Sequence, residues 1–378
     1  MTVSDVGTLK RGRLLAGVLL RDVPLYASGL LRGGEAYLAI RNRAERLEPA
    51  PTGSGYRCDW QWTSVLHAPR HLPHLGLSLL RRALAEHPIR RQARPEQITE
   101  APAISFLIGH RGEERLPHLL ATLESIAGQR NVDIECLVIE QDRESRLPGQ
   151  LPDWVRHVHT PPPSPDMPYC RAWAFNVGAR LAKGRMLVLH DNDMLVPADY
   201  AARILDLGLQ GWEAINLKRF IFYLSELHSG EVFAGTADLS DKAPEAIVQN
   251  LEAGGSIAIG RGAYQRIGGM DEGFIGWGGE DNEFWERCQT LRVWPYGALP
   301  LVHLWHPAQP GKYQADNLTL KRFQDLSNIP PQHRIERLRQ RPAGMLTGPT
   351  EYAPGLHSTP TTCPLTPAPE LLTPDIFS

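Results

Sequence analysis

Arg185-Met186-Leu187-Val188-Leu189-His190-Asp191-Asn192-Asp193 is the stretch whose reading decides the fold. A short apolar run, Arg185 to Leu189, ends abruptly in polar and acidic side chains. A run of that length, bounded by turn residues, reads as a buried strand. Upstream, Ala103 to Ile108 and Ile134 to Ile139 have the same character. Between them Leu116, Leu119, Leu120, Leu123 and Ile126 recur at helical spacing, which predicts a helix over Leu116 to Ala127. Tyr169 to Ala182 reads as a further helix after the breaker run Pro161 to Pro168. Strands alternating with helices predict an α/β unit with a mostly parallel sheet. Ligands of such sheets bind beyond the carboxyl ends of the strands. Glu140-Gln141-Asp142 and His190-Asp191-Asn192-Asp193 are therefore expected on one rim.

Downstream, Pro197 to Leu207 reads as a helix, Ala214 to Leu224 as a strand-like run and Ala243 to Leu251 as helical. Gly254-Gly255 precedes a short strand, Ser256 to Ile259. Gly276-Trp277-Gly278-Gly279-Glu280-Asp281 follows, then a helix over Asn282 to Thr290 with Phe284, Trp285 and Cys288 on its apolar side. Val293 to Leu304 is mixed; Leu318 to Leu326 and His333 to Leu338 read as helices. Residues 1–95 read as a small β-rich accessory domain. Its expected strands are Leu14 to Leu20, Ala36 to Ile40, and Cys58 to Val65 with Trp60 and Trp62 at alternate positions; its one expected helix is Leu75 to Ala85. Residues 96–340 form the main unit, and 341–378, rich in Pro and Thr, read as a disordered tail.

The chain has 378 residues, 42% of them hydrophobic and 22% charged, which is ordinary for a globular protein. A net charge of -2 gives no reason to expect a nucleic-acid partner. No apolar run reads as long enough for a transmembrane segment, because Leu14 to Leu20 leads into charged Arg21-Asp22. Cys58, Cys136, Cys170, Cys288 and Cys363 are widely spaced and form no CxxC pair, so they are expected to be buried thiols of a cytoplasmic protein.

Three groups carry chemistry. Glu280 and Asp281 fall at a predicted helix start, where backbone N–H groups favour negative charge. The preceding glycines allow close approach, and Trp277 offers a face that stacks on a sugar ring. A carboxylate there can take a proton from an acceptor hydroxyl, or it can simply cap the helix. Asp191-Asn192-Asp193 at a strand end suits a hard divalent cation that bridges to phosphate oxygens; the bland alternative is an Asp-rich turn. His303 and His306, three residues apart, can reach one ion, with imidazole suiting Mn, Zn or Fe. Together they describe an in-line displacement with inversion. Asp193, His303 and His306 would hold a metal on a diphosphate leaving group, and Asp281 would activate the acceptor.

The chain resembles β-1,4-galactosyltransferases and related family 2 and family 7 glycosyltransferases of the A-type fold, over roughly residues 103–310. Leu137-Val138-Ile139-Glu140-Gln141, Ala174-Phe175-Asn176-Val177-Gly178-Ala179 and His190 to Leu195 are similar to segments of that family. Gly276 to Asp281 is similar to its Gly-Trp-Gly-Gly-Glu-Asp motif, the most specific match. Leu301 to His306 resembles its Met-x-x-His, with His303 at the methionine position. The resemblance implies an A-type glycosyltransferase (Rossmann-like nucleotide-diphospho-sugar transferase) fold and transfer of a hexose or N-acetylhexosamine from a UDP-sugar to a carbohydrate or glycoconjugate acceptor. It implies Asp281 as base, with Glu280, Trp277 and Gly279 at the acceptor. Arg111, Gln141, Asp142, Phe175, Asn176, Asp191 and Asn192 would lie at the nucleotide-sugar, and Asp193, His303 and His306 on Mn²⁺ or Mg²⁺. The family's Arg-rich segment is here Gly109-His110-Arg111-Gly112-Glu113. Its Golgi members carry a membrane anchor and lumenal disulfides, so a cytoplasmic, bacterial relative is the expectation. The alternatives are a retaining N-acetylgalactosaminyltransferase-like enzyme, whose motif usually has Asn where this chain has Asp281, and a catalytically inactive sugar-binding module.

Overall fold

Apolar strands buried on both faces need helices on both sides, and the main sheet is built that way. The computed structural model describes residues 12–43, 45–51, 55–57, 63–251, 253–308 and 317–349. Its largest sheet runs in the order Val293–Trp294, Ala214–Ile215, Ser256–Gly260, Met186–His190, Ile104–His110, Ile134–Glu140, Val155–His159. The last four are mutually parallel. Ser256–Gly260 runs antiparallel to Met186–His190. This is a mixed α/β fold. Leu116–Ala127 and Tyr200–Leu209 pack on one face, where Leu119, Leu123, Ile126, Ile204 and Leu207 join Phe106, Val138 and Val188 in one core. Arg171–Leu181 covers the other, with Trp173, Phe175 and Val177 against Leu107, Ile139 and Leu189.

A second sheet, ordered Ser64–Val65, Ala246–Gln249, Lys218–Tyr223, Leu299–His303, Met194–Leu195, stands beside the carboxyl end of the first. Leu299–His303 runs parallel to Lys218–Tyr223 and pairs His303 with Met194. That pairing places the two expected ligand segments side by side.

Several expectations are corrected here. The segment Ala243 to Leu251 holds a strand, Ala246–Gln249, paired on both edges; its β-branched Ile247-Val248 pair suits that place better than a helix. Val155–His159, unassigned in the sequence, is the edge strand of the main sheet. The β-rich reading of residues 1–95 fails for most of what is described. Ala36 to Ile40 lies in a 3₁₀ turn, Gly34–Ala39, and Leu14 to Leu20 lies within a helix, Gly12–Leu31. A short apolar run does not distinguish strand from helix; the buried positions Val18, Asp22, Tyr26 and Gly29 recur at helical intervals. Among the described residues of this region, strand character is confined to the two-residue pieces Glu48–Pro49, Tyr56–Arg57 and Ser64–Val65. Tyr26, Tyr37, Leu79 and Leu80 share a core with Phe220, Phe222 and Val302 of the second sheet.

Where the sequence predicts no apolar segment of spanning length, one helix, Gly12–Leu31, reaches that length and composition. It is 20 residues long, with a hydropathy of 1.4 over its most apolar window. Arg21-Asp22 does not interrupt it, because Asp22 turns inward and accepts from Arg43 Nε at 2.9 Å. The start of the expected tail packs on the body: Gly344 N donates to Glu272 Oε1 at 2.6 Å and Trp173 Nε1 donates to the Met345 carbonyl at 2.6 Å. Residues 350–378, including Cys363, and Cys58, Trp60 and Trp62 lie outside the described residues. Cys136, Cys170 and Cys288 are buried free thiols, as expected.

Candidate active site

A cavity of about 620 Å³ opens at the carboxyl ends of the parallel strands. Its walls include Arg111, Asp142, Phe175, Asp191, Asn192, Asp193, Trp277, Glu280, Asp281 and His306. The strand Met186–His190 delivers the Asp191-Asn192-Asp193 run to it. His190 itself is structural: its imidazole bonds Ser256 Oγ and the Met194 carbonyl, each at 2.8 Å, and burial pushes it down to about 4.

Asp193, His303 and His306 offer three ligand atoms all within 4.8 Å of one another. His303 Nε2 lies 3.7 Å from Asp193 Oδ1, and His306 Nε2 lies 3.3 Å from Asp193 Oδ2. His306 Nδ1 donates to the Pro307 carbonyl at 2.6 Å, which leaves Nε2 as the lone-pair nitrogen facing the aspartate. The buried Nδ1 of His303 has no hydrogen-bond partner among the described residues, and its ring stacks on Tyr223 at 4.4 Å between centroids. Burial alone pushes the Asp193 carboxyl up. The charges of His303, Arg115 and His306 outweigh that and hold it well below the usual carboxylate range. Burial pushes His303 down to about 4 against the opposing pull of Asp193. One carboxylate and two imidazole nitrogens facing each other fit a divalent cation of Mn²⁺ type. Arg115, just ahead of the Leu116–Ala127 helix, already places its Nη2 on Asp193 and donates to Asn192 Oδ1 at 3.0 Å.

The carboxylate pair is set by backbone geometry. Gly279 caps the helix Glu280–Cys288 at φ 86°, where a side chain would strike Phe323 and Phe274. The turn delivers Glu280 and Asp281 to the cavity at a helix N-terminus. Gly254, at φ +75°, approaches Asp281 so closely that a Cβ there would lie 2.9 Å from Oδ2. Arg171 opens the helix Arg171–Leu181 and joins the two acidic groups. Its Nε and Nη2 donate to Asp191 Oδ1 at 2.9 and 2.6 Å, and its Nη1 donates to Asp281 Oδ1. The guanidinium also lies 4.6 Å above the Phe175 ring. Gly255 N donates to the other oxygen of Asp191 at 3.1 Å.

Glu280 and Asp281 differ in their surroundings. Burial, and then the Asp281 charge, push Glu280 up to about 7, and its Oε2 is buried with no partner among the described residues. Burial also raises Asp281, with Arg171 opposing. Both carboxyls are thus pushed upward, Glu280 by burial and the Asp281 charge, and Asp281 by burial with the Arg171 guanidinium opposing.

The structure brings most of the expected residues to the cavity wall; Gly279 and His303 stand just behind it as helix cap and Asp193 neighbour, and Gln141 and Asn176 are turned into the core. Gln141 is wholly buried, with Nε2 on the Cys170 carbonyl at 2.7 Å and Oε1 accepting from Cys170 N at 3.1 Å. Asn176 brackets Met270 and Glu272 at 2.9 and 2.8 Å. Both amides are used up in the core, so the nucleotide contacts expected of them are corrected to structural roles. Arg111 donates to the Met167 carbonyl at 2.7 Å and Asp142 accepts from Gly112 N at 2.9 Å; both line the cavity. Arg115 and Arg171 are the residues that sequence reasoning missed. Their only local signal is a basic side chain at the entry to a helix facing the rim.

Residues 248–294, which contain both Gly254 and the Gly276 to Asp281 motif, match the family described as the N-terminal domain of galactosyltransferase. Over that segment the chain is similar to galactosyltransferases. Among solved structures, the catalytic domain of Drosophila beta1,4-galactosyltransferase 7, solved with xylobiose, is similar at 17% identity. It covers 58% of this chain and 79% of its own, with a TM-score of 0.32. GalNAc-T7, solved with UDP, GalNAc and Mn²⁺, is 15% identical over 61% of this chain and 48% of its own, with a TM-score of 0.43. No curated protein sequence matches the chain.

Proposed function

We propose that this glycosyltransferase moves a hexose or N-acetylhexosamine from a UDP-sugar to a carbohydrate or glycoconjugate hydroxyl with inversion. The observation that carries the reading is the meeting of two unlike groups in one cavity. A three-ligand metal cluster, Asp193, His303 and His306, and a carboxylate pair, Glu280 and Asp281, are linked through Asp191 and Arg171. Mn²⁺ or Mg²⁺, when bound, supplies positive charge to the diphosphate leaving group.

The chain's own side chains do the rest. Asp281 takes the proton of the acceptor hydroxyl as its oxygen bonds to the anomeric carbon; the bond from that carbon to the phosphate oxygen breaks, and its electron pair leaves with UDP. Glu280, protonated near neutral pH, donates to a second acceptor oxygen. Trp277, 37% exposed at the rim, covers a sugar face. Arg115 and Arg171 bind phosphate oxygens bidentately once the donor enters. The test is the anomeric configuration of the product, read by NMR, from a UDP-α-sugar incubated with and without EDTA. A β-linked product that EDTA abolishes and Mn²⁺ restores supports the reading. An α-linked product, or full turnover in EDTA, contradicts it.

A further inference from the structure

We propose that the helix Gly12–Leu31 docks in the plane of an anionic lipid surface. One face of it is committed to the protein. Val18, Asp22, Tyr26 and Gly29 are buried, and Val18 and Tyr26 join the core shared with the second sheet. The Asp22–Arg43 pair fastens the middle of the helix to the body. A helix held along one side in this way lies on the molecule's surface and cannot cross a bilayer without leaving its core.

Its outer face is apolar. Leu14, Leu19, Leu20 and Leu31 are 40%, 55%, 77% and 86% exposed. They are four of the eleven large apolar side chains exposed among the described residues, gathered on one 20-residue helix. Scattered single leucines need no explanation, whereas four exposed on one helix do.

Charge selects the occupant. Arg13, Arg21 and Arg32 are exposed along and beside this helix, and among the described residues no acid holds any of them. Its only acidic residue, Asp22, faces inward. The chain as a whole carries a net charge of -2, so this local excess of arginine is not a reflection of composition. Leucines between arginines match the boundary of an anionic bilayer, where acyl chains take the apolar face and headgroups take the guanidinium groups. A second copy of this chain would set the same arginines against each other across a two-fold contact.

The full chain is mixed with vesicles of phosphatidylcholine alone, or of phosphatidylcholine with phosphatidylglycerol, and floated on a density gradient. The wild type floats with the anionic vesicles, and far less with the neutral ones. Leu20→Glu with Leu31→Glu abolishes flotation, while circular dichroism and melting remain those of the wild type, since both side chains point away from the core. Arg13→Gln, Arg21→Gln and Arg32→Gln each weaken vesicle binding about fivefold. Washing with alkaline carbonate releases the bound wild type, as it does for a helix lying in the interface. A folded wild type that stays off anionic vesicles overturns the proposal. So does equal binding of the double glutamate variant. A wild-type dimer made monomeric by those glutamates, with no vesicle binding, assigns the face to a second copy instead.

Discussion

Arg171 Nη1 donates to the carboxylate of Asp281, the proposed base, and the same guanidinium holds Asp191 through Nε and Nη2. One cation thus ties the helix Glu280–Cys288 to the end of a central strand. It also opposes the burial that raises the Asp281 carboxyl. A group acting as base must be ionised in the free enzyme, and Arg171 favours that form.

Removing that cation should therefore move activity along the pH axis. With Arg171→Gln, burial and the neighbouring Asp191 charge act on Asp281 with Lys218 alone among the named cations opposing them, and its carboxyl titrates higher. The rising limb of kcat/KM against pH should shift to higher pH, with a larger loss at pH 6 than at pH 9. Arg171→Lys should shift it less. A profile displaced only downward, with no change along the pH axis, would show that Arg171 does not tune the base.

Arg115 occupies the same carboxylate as the expected metal. Loss of its charge-assisted bond frees Asp193, so Arg115→Gln should bind Mn²⁺ more tightly in the absence of nucleotide, by about tenfold. Asp193→Asn should abolish that binding. Calorimetric titration of Mn²⁺ into the three proteins reads both effects. Weaker Mn²⁺ binding by Arg115→Gln would mean that the guanidinium supports the site rather than competing for it.

Glu280 makes a signed prediction about stability. Its folded-state value, about 7, lies above the ordinary 4.5. Below the ordinary value both states are protonated, and nothing is lost. As pH rises through that window the unfolded chain ionises first, so stability falls until the folded carboxyl has also ionised. Glu280→Gln removes this loss. The variant should match the wild type near pH 4 and exceed it by on the order of 2 kcal/mol at pH 8. Urea melts at the two pH values measure it; an advantage of the same size at both would point to packing rather than ionisation.

Gly254 tests how closely the base is confined. A Cβ at this position meets Asp281 Oδ2 at 2.9 Å and sits on a backbone with φ +75°. Gly254→Ala should cost about 1 kcal/mol of stability and lower turnover well beyond that cost, because the side chain it displaces is the proposed base. Turnover and melting are compared in one preparation, and unaltered turnover would mean that Asp281 has room the structure does not show.

Much of this was legible in the sequence. Leu116–Ala127 has the bounds its leucine spacing predicts, and the Gly276 to Asp281 motif sits at a helix start as its glycines and acids demand. His303 and His306 could be grouped with Asp193 because their side chains are metal-ligand types at a spacing that reaches one ion. What stayed hidden depends on distant chain. Arg171 and Asp281 are separated by 110 positions, and Arg115 and Asp193 by 78, so no local pattern marks either bond. Gln141 and Asn176 sit in the expected motifs, yet their amides turn inward, and only tertiary packing decides which way an amide points. Val155–His159 carries only two valines among polar residues, too weak a pattern to mark an edge strand.

The most direct test of the account is Asp281→Asn, with kcat for sugar transfer and UDP affinity in Mn²⁺ measured on the same folded protein. Asparagine keeps the size and a capping oxygen and removes the basicity. The account predicts a fall in kcat of about two to four orders of magnitude with UDP affinity little changed. A near-normal kcat would contradict it and leave Asp281 as a helix cap and a partner for Arg171.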